Sequence, residues 1–542
     1  MNSRREPSVS RRAFLRGSFS GALALGSIGI SKSSSQAQEE KEFELSELTI
    51  AELQMGMEKG KYTSRSLAEK YLERIESIDR KGPILRSVIE VNPDALAQAD
   101  ELDRERKAKG PRGPLHGIPI LVKDNIDTAD KMATTAGSLC LVGSKPPSDA
   151  FVVKQLRKAG AVILGKTNLS EWANARSSNS TSGWSGRGLL TKNPYVLDRN
   201  PCGSSSGSGV AVAGNLCAVA IGTETDGSIV CPSAVNGIVG IKPTVGLVSR
   251  TGIIPISHSQ DTAGPMARTV RDAAILLGAI VGTDLEDKAT AGARGKYLTD
   301  YTKILVADGL KGAKIGVARN FFGFHEGVDG LAEKAITAMK GLGATFSDTT
   351  ELPKAEVLNP QEQIVFQYEM NAGLNNYFAR LGPSAPVKTV SDVIAFNEKH
   401  RKEEMPYFGQ DLLVKLAAKG PLTSYEYIEA LAKNRRLTRT EGIDMVMDKN
   451  QFDAIVAPTI GPACVTDLAN GDHLLGGDLT SVAAVAGYPH ITVPMGFLFG
   501  LPIGLSFIGR AWSEAKLLQL AYAFEQSTKA RRPPQFLPTA KL

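Results

Sequence analysis

Hydroxyl and glycine residues are concentrated in two short stretches, residues 202–209 (CGSSSGSG) and 223–228 (TETDGS). Small apolar residues fill most of the run between them, 210–221, which predicts a buried segment between two loops. Glycine lets a ligand approach the main chain, and serine can donate, accept or attack. The pattern therefore indicates a loop region that stabilises an anion and carries a nucleophile.

A lysine follows directly on the short apolar run 118–122, which turn-forming residues precede. The run predicts a buried strand that ends at Lys123. A lysine at a strand end commonly extends its ammonium group to solvent. If apolar residues surround it instead, it loses its proton near neutral pH and can act as a base. The sequence alone leaves both interpretations open.

The elements that must position these residues alternate between helical and strand patterns, which indicates an α/β fold. Helices are predicted at 94–109, 151–159, 169–175 and 514–526, and strands at 161–164, 238–247, 251–256, 314–317, 452–458, 488–496 and 501–508. Residues 285–450 are more charged and largely helical in pattern. We interpret them as a covering region or insertion in which substrate selectivity would lie.

Residues 160–167, GAVILGKT, formally match a phosphate-binding loop. The four residues between the glycines are Ala, Val, Ile and Leu, which predict a buried strand. A phosphate cradle needs a flexible loop at that point, so nucleotide binding is not expected.

Composition narrows the functional classes further. The chain has 542 residues, is 42% hydrophobic and 22% charged, and carries a formal net charge of +6. Residues 1–37 hold six Lys or Arg against one Glu, so the remainder is nearly neutral and no nucleic-acid partner is expected. The five cysteines and six histidines are irregularly spaced, which predicts no metal site or other cofactor. We expect mostly free, buried thiols, although an exported chain could form one bond.

The first 37 residues are typical of a cleaved export signal. Arg11 and Arg12 precede a weakly apolar run, 17–30, and Ser35-Gln36-Ala37 offers a small-residue cleavage site. The run is too short and too polar to span a bilayer, so stable membrane insertion is not expected. The paired arginines predict transient contact with the twin-arginine export machinery, a mature chain of 38–542, and a periplasmic or secreted protein.

Several longer motifs together resemble the amidase signature family. They are GPLHGIPILVKDNI, GAVILGKTNLSEWA, PCGSSSGSG, IGTETDGSIVCPS, GIVGIKPTVGLVSR, DTAGPMART and GLPIGL, and they follow the family's order between about residues 113 and 508. The resemblance implies a single amidase domain of α/β class, with a large mixed β-sheet covered by helices on both sides.

The resemblance also implies roles for individual residues. Ser228 would be the nucleophile, Ser204 a bridging serine after a cis Gly203–Ser204 bond, and Lys123 the base. The main-chain N–H groups of four residues would hold the oxyanion: Thr225, Asp226, Gly227 and Ser228. Two positions depart from the common pattern: Asp226 stands where many members have glycine, and Ser206 replaces a glycine, which leaves three adjacent hydroxyls.

The motifs SGWSGRG, FGQDLL, AVAGYPHITVPMG and AWSEAKLLQLAYAFEQ are similar to those of the peptide amidase branch. That likeness implies removal of the C-terminal amide from peptides with release of ammonia. Small aliphatic, aryl or acyl amides are alternative substrates, and a catalytically inactive amide-binding protein is an alternative of another class. A subunit acting on charged transfer RNA is disfavoured, because export would separate it from its partners.

Overall fold

Thirteen strands are present in a computed structural model that describes residues 43–348, 350–383 and 385–540. The predicted export signal, 1–37, lies outside these residues. The strands are β1 Val88–Val91, β2 Pro119–Lys123, β3 Val162–Thr167, β4 Trp184–Ser185, β5 Leu189–Leu190, β6 Val219–Glu224, β7 Val239–Lys242, β8 Thr262–Ala267, β9 Lys314–Val317, β10 Thr345–Ser347, β11 Ala454–Pro458, β12 His490–Leu498 and β13 Leu501–Ile508.

Eleven of the strands form one mixed sheet in the order β1-β3-β2-β6-β8-β7-β12-β13-β11-β9-β10, and β4 pairs with β5 in a small hairpin. Strand β2 runs parallel to both β3 and β6, whereas β8 is antiparallel to β6 and β7. The central strands are buried along their whole length, which explains why they read as continuous apolar runs rather than alternating ones. The α/β class and the large mixed sheet are confirmed.

The described residues also form sixteen α-helices. They are α1 Ile50–Glu58, α2 Ser64–Arg74, α3 Ala95–Lys109, α4 Phe151–Lys158, α5 Ser206–Ala213, α6 Val230–Val235, α7 Val270–Ile280, α8 Glu326–Gly341, α9 Ala355–Leu381, α10 Val390–Lys399, α11 Arg401–Glu404, α12 Asp411–Ala417, α13 Tyr425–Arg435, α14 Asp444–Asn450, α15 Asp478–Ala486 and α16 Glu514–Thr528. A π-helical segment, Arg436–Ile443, joins α13 to α14. Within the described residues, no helix is both long and apolar enough to cross a membrane.

Local sequence signals explain where several elements begin and end. Thr49 and Glu52 form the capping box that starts α1. Strand β9 and strand β13 have the predicted bounds, and β3 occupies the apparent phosphate-binding motif, which confirms that this motif is a buried strand.

Two predicted elements are wrong, and the predicted loop 202–209 is non-helical only as far as Ser205, because helix α5 begins at Ser206. The predicted helix 169–175 is a single short 3₁₀ turn, Glu171–Asn174, because Trp172 and Ala173 adopt positive φ angles of 49° and 53° that an α-helix excludes. The predicted strand 251–256 is a loop. Its main chain bonds to the turn after β2 instead, with the Ile254 amide 2.9 Å from the carbonyl oxygen of Asn125.

The charged region 285–450 contributes helices α8 to α14 and two strands, β9 and β10, at one edge of the sheet. Its longest helix, α9, packs against α12, α13 and α15. Apolar side chains of α9 form a cluster with residues from the first half of the chain, including Trp172 and Ile256. The region is therefore joined to the core through α9.

Candidate active site

Lys123 ends strand β2 and is completely buried. Its Nζ donates to the hydroxyls of Ser204 and Ser205, at 2.8 and 2.9 Å, and to the hydroxyl and carbonyl oxygens of Thr223, at 2.9 and 3.2 Å. The lysine does not extend to solvent. Strands β3 and β6 enclose β2 on both sides, and the apolar run before Lys123 holds the side chain inside the sheet.

Burial lowers the pKa of Lys123 from its usual value near 10.5 to about 7. Removing an ammonium group from water disfavours its charged form. The carboxylates of Glu224 and Asp261 raise the pKa but only partly oppose this effect. A substantial fraction of Lys123 is therefore neutral near pH 7.

Three adjacent hydroxyls follow the cis bond between Gly203 and Ser204, and each has a different environment. The Ser205 hydroxyl donates to the Thr223 carbonyl at 2.9 Å and accepts from the Thr223 amide at 3.2 Å. The Ser206 hydroxyl donates to the carbonyl oxygen of Cys202 at 2.5 Å, at the start of helix α5. In the described chain, Lys123 is the one hydrogen-bond partner of the Ser204 hydroxyl.

Ser228 lies in the loop between β6 and α6, and its main chain is fixed from two sides. Its carbonyl oxygen accepts from the Ser205 amide at 3.1 Å, which joins the two Gly- and Ser-rich stretches. The Glu224 carboxylate accepts from the amides of Ile229 and Val230, at 2.6 and 2.9 Å. No hydrogen bond joins the hydroxyls of Ser204 and Ser228 within the residues that the structure describes.

The amides in the loop before Ser228 are available to a ligand. Among the described residues, nothing accepts a hydrogen bond from the main-chain N–H of Gly227 or Ser228, and Gly227 has a positive φ of 74°. Both residues line a concave site of the molecule. Unpaired amides facing a cavity are the groups that stabilise a developing oxyanion.

A second set of hydrogen bonds joins this loop to Gln260 and Asp261. The Thr225 hydroxyl donates to Asp261 at 2.6 Å, and Gln260 donates to the Thr225 carbonyl at 3.3 Å. The same Gln260 amide group donates to Glu362 on helix α9 at 2.8 Å. The covering region therefore supports the loop that carries the candidate nucleophile.

Two carboxyl groups meet at the wall of the cavity. Asp226 accepts from the Ser481 hydroxyl of helix α15 at 2.6 Å. Burial raises the pKa of Glu362 well above its usual range, and the nearby Asp226 carboxylate raises it further. The pKa of Glu362 is raised because burial and a neighbouring carboxylate both disfavour its ionised form.

The cavity has a volume of about 430 Å³, which suits a small ligand. Its apolar lining includes Ile256, Phe366, Met370 and Leu416. Its charged lining residues are all acidic, since none of the described residues that line it is lysine or arginine. The described residues also contain no group of three or more His, Cys, Asp or Glu arranged to hold a metal ion.

A disulfide joins Cys202 to Cys231, and both cysteines line the cavity. The other three cysteines, Cys140, Cys217 and Cys464, are free. Three of the five thiols are free and two of those are buried, which agrees with the expectation of mostly free, buried thiols, whereas the pairing of Cys202 with Cys231 was not predicted. The pair ties the stretch that contains Ser204 to the helix that follows Ser228.

Removing this disulfide should destabilise the protein. The bond closes a loop over a sequence separation of 29, so the double variant Cys202→Ala/Cys231→Ala should lose about 3 kcal/mol of unfolding free energy in urea denaturation. Cys464→Ala, at a free and partly exposed thiol, is the matched control. Equal stability of the double variant and the wild type would contradict the prediction.

Sequence reasoning missed the supporting residues. Ser205 and Thr223 contact Lys123, while Gln260, Asp261 and Glu362 hold the loop of Ser228. Ser205 and Thr223 could have been suspected, because both lie in the hydroxyl-rich stretches. Nothing in the sequence signals the hydrogen bond between Gln260 and Glu362, because the two residues are 102 positions apart in the chain.

Comparison with known proteins gives a consistent result. The amidase family model matches residues 66–518. The crystal structure of the peptide amidase PAM with the competitive inhibitor chymostatin is 54% identical and superposes with a TM-score of 0.88, covering 91% of this chain and 99% of that one. The native peptide amidase of Stenotrophomonas maltophilia is 53% identical, with a TM-score of 0.87 and the same coverage. A probable amidase of Arabidopsis thaliana is 44% identical over 515 residues, which cover 93% of this chain and 94% of the relative.

Proposed function

The chain belongs to the amidase family and is a hydrolase acting on amides, and from this premise we propose that it removes the C-terminal amide of peptides through Ser228, Ser204 and Lys123. The observation that carries the proposal is the buried lysine, whose amine lies 2.8 Å from the Ser204 hydroxyl beside the loop of Ser228. Serine hydroxyls need a base to become nucleophiles at neutral pH. Lys123 supplies that base because burial keeps part of it neutral.

In the proposed reaction, the Ser228 hydroxyl attacks the carbonyl carbon of the terminal amide. Its proton passes to Ser204, whose own proton passes to neutral Lys123. For this step the two serine hydroxyls approach by side-chain rotation, because no hydrogen bond joins them among the described contacts. Catalytic hydrogen bonds commonly tighten when substrate binds.

The tetrahedral oxyanion accepts hydrogen bonds from the main-chain amides of residues 225–228, of which those of Gly227 and Ser228 have no acceptor among the described residues. When the C–N bond breaks, the proton returns from Lys123 through Ser204 to the departing amine, which leaves as ammonia. Water then hydrolyses the acyl-enzyme by the same proton route in reverse. The products are ammonia and the free peptide acid.

The charges around the cavity support a C-terminal amide over a C-terminal carboxylate. Asp226, Glu362 and Asp472 line the cavity, and none of the described lining residues is a cation that could pair with a substrate carboxylate. The terminal amide is neutral and offers N–H donors to these oxygens. The free acid formed in the reaction lacks a counter-ion there, which favours its release.

Ammonia release from an amidated dipeptide tests the proposal directly. Purified protein should release ammonia from the dipeptide amide, should leave the internal peptide bond intact, and should bind the corresponding free acid at least about tenfold more weakly. Ser228→Ala protein is the control for contaminating activity. Cleavage of simple aryl or aliphatic amides without cleavage of the dipeptide amide would discard the peptide substrate but keep the amidase chemistry.

The rate should depend on pH through Lys123. Because the neutral amine is the active form and its pKa is about 7, kcat/KM should fall about tenfold per pH unit below that value and level off above it. A series of initial rates from pH 5 to 9 with a neutral substrate would measure this. A rate that rises as the pH falls would contradict the assignment of the base.

We also propose that the protein is exported through the twin-arginine route. The disulfide supports this proposal, because such bonds persist in oxidising compartments outside the cytoplasm. Arg11→Lys/Arg12→Lys should leave the full-length protein in the cytoplasmic fraction of cells whose wild-type protein is recovered outside it. Cytoplasmic recovery of the wild type as well would contradict export.

A further inference from the structure

A second cavity, of about 480 Å³, shares no lining residue with the candidate active site. Its wall combines four cationic residues with a single carboxylate: Arg250, Lys288, Arg435, Arg439 and Asp287. The two cavities therefore differ in the sign of their charge, since the described residues that line the active-site cavity include carboxyl groups but no lysine or arginine.

The one carboxylate of this second cavity is already paired. Asp287 receives two hydrogen bonds from the Arg250 guanidinium, at 2.6 and 2.7 Å. Among the described residues, no carboxylate oxygen lies within 4.0 Å of the side-chain nitrogens of Lys288, Arg435 or Arg439. These three residues therefore form no ion pair in the described chain, and the carboxylate that acts on Arg439, that of Asp444, does so without direct contact.

Arg439 is the best-positioned of the three. Its Nε donates to the carbonyl oxygen of Ala486 at 2.7 Å, and its guanidinium lies 5.5 Å from the centre of the Tyr488 ring. These contacts fix the plane of the group. In the described chain, its two terminal nitrogens have no acceptor. Burial lowers the pKa of Arg439, and the like charge of Arg435 lowers it further. A bound anion would relieve both effects.

We propose that this cavity binds a small oxyanion, such as a carboxylate- or phosphate-bearing metabolite, at Arg439 and Arg435. A guanidinium with two free terminal nitrogens matches the two oxygens of a carboxylate or phosphate. The rings of Tyr488 and Trp512 also line the cavity, so it accommodates a ligand with a flat apolar part. The negatively charged ligand is distinct in chemistry from the neutral amide proposed for the active site.

Calorimetric titration of the whole protein with inorganic phosphate and, separately, with citrate tests this site. Saturable binding at one site per chain is expected at low ionic strength, with weaker binding as sodium chloride is added. Stronger binding of citrate than of phosphate would identify carboxylates as the preferred oxyanion, and the reverse order would identify phosphates. Absence of saturable binding of both anions would overturn the proposal.

Two variants locate the binding. Arg435→Gln should weaken the affinity at least about tenfold, because a charge-assisted hydrogen bond is lost. The side chain of Arg435 is exposed and has no hydrogen bond among the described residues, so the variant should fold normally. Arg104→Gln, at an exposed arginine of helix α3 that lines neither cavity, is the matched control. Equal affinities of the two variants would overturn the proposed location.

Ammonia release by Arg435→Gln at the wild-type rate would show that any lost binding is independent of the active site.

Discussion

Lys123→Ala should lower kcat/KM for an amide substrate by about 10⁴-fold or more while leaving the protein folded. The expected size follows from the loss of the only proposed base, and removal of one member of a hydrolase triad commonly costs this much. The small side chain also leaves the hydroxyls of Ser204 and Thr223 without the amine that now joins them. Steady-state kinetics with the dipeptide amide measures the loss.

Lys166→Ala is a matched control for the effect of removing a buried lysine. Lys166 is also completely buried, but its Nζ donates to the carbonyl oxygen of Ile126 and to Thr134 rather than to the catalytic serines. This variant should lose stability in urea with a far smaller change in kcat/KM. A mild loss in Lys123→Ala, or an equal loss in both variants, would remove Lys123 from the mechanism.

Ser204→Ala should lower kcat by about 10³-fold with little change in KM. The hydroxyl would carry the proton between Ser228 and Lys123, and general acid–base transfer typically contributes 10²- to 10⁴-fold. Its removal also leaves the oxyanion donors and the substrate cavity in place, so binding is retained. The remaining rate should be nearly independent of pH around 7, because the path to Lys123 is broken.

Ser205→Ala gives the sharpest comparison, since Ser205 lies as close to Lys123 as Ser204 does. Both of its other hydrogen bonds go to the main chain of Thr223, so its hydroxyl is committed to holding β6 beside the lysine. We expect a loss of about tenfold, with the pH profile preserved. If Ser205→Ala were the more damaging variant and Ser204→Ala the milder one, the proton path would run through Ser205.

The sequence predicted best those elements whose structure depends on the types of residues close together in the chain. The glycines and serines of 202–228 and the apolar run before Lys123 predicted a loop region with a nucleophile and a strand that ends at the lysine. The roles of Lys123 and Ser204, whose Nζ and hydroxyl lie 2.8 Å apart, were implied only by the resemblance to the amidase signature family. Strands β9 and β13 were also predicted with their observed bounds, because a short apolar run between turn-forming residues is typical of a buried strand.

Features that depend on contacts between distant segments could not be predicted. The left-handed conformations of Trp172 and Ala173 conflict with their helical pattern and are stabilised by packing against residues of α9. The bond from Gln260 to Glu362 and the cluster of cations around Arg439 each join segments that are far apart in the chain. Local propensity contains no information about such pairs.

Helix α9 links substrate range to turnover. Phe366 and Met370 line the active-site cavity, and Glu362, one turn before Phe366, supports the loop of Ser228 through Gln260. A change that shifts the helix to admit a bulkier substrate therefore also shifts the support of the oxyanion loop. In directed evolution of this enzyme toward larger amides, variants that accept bulkier substrates should have a lower kcat. Substitutions that restore kcat should accumulate around Gln260.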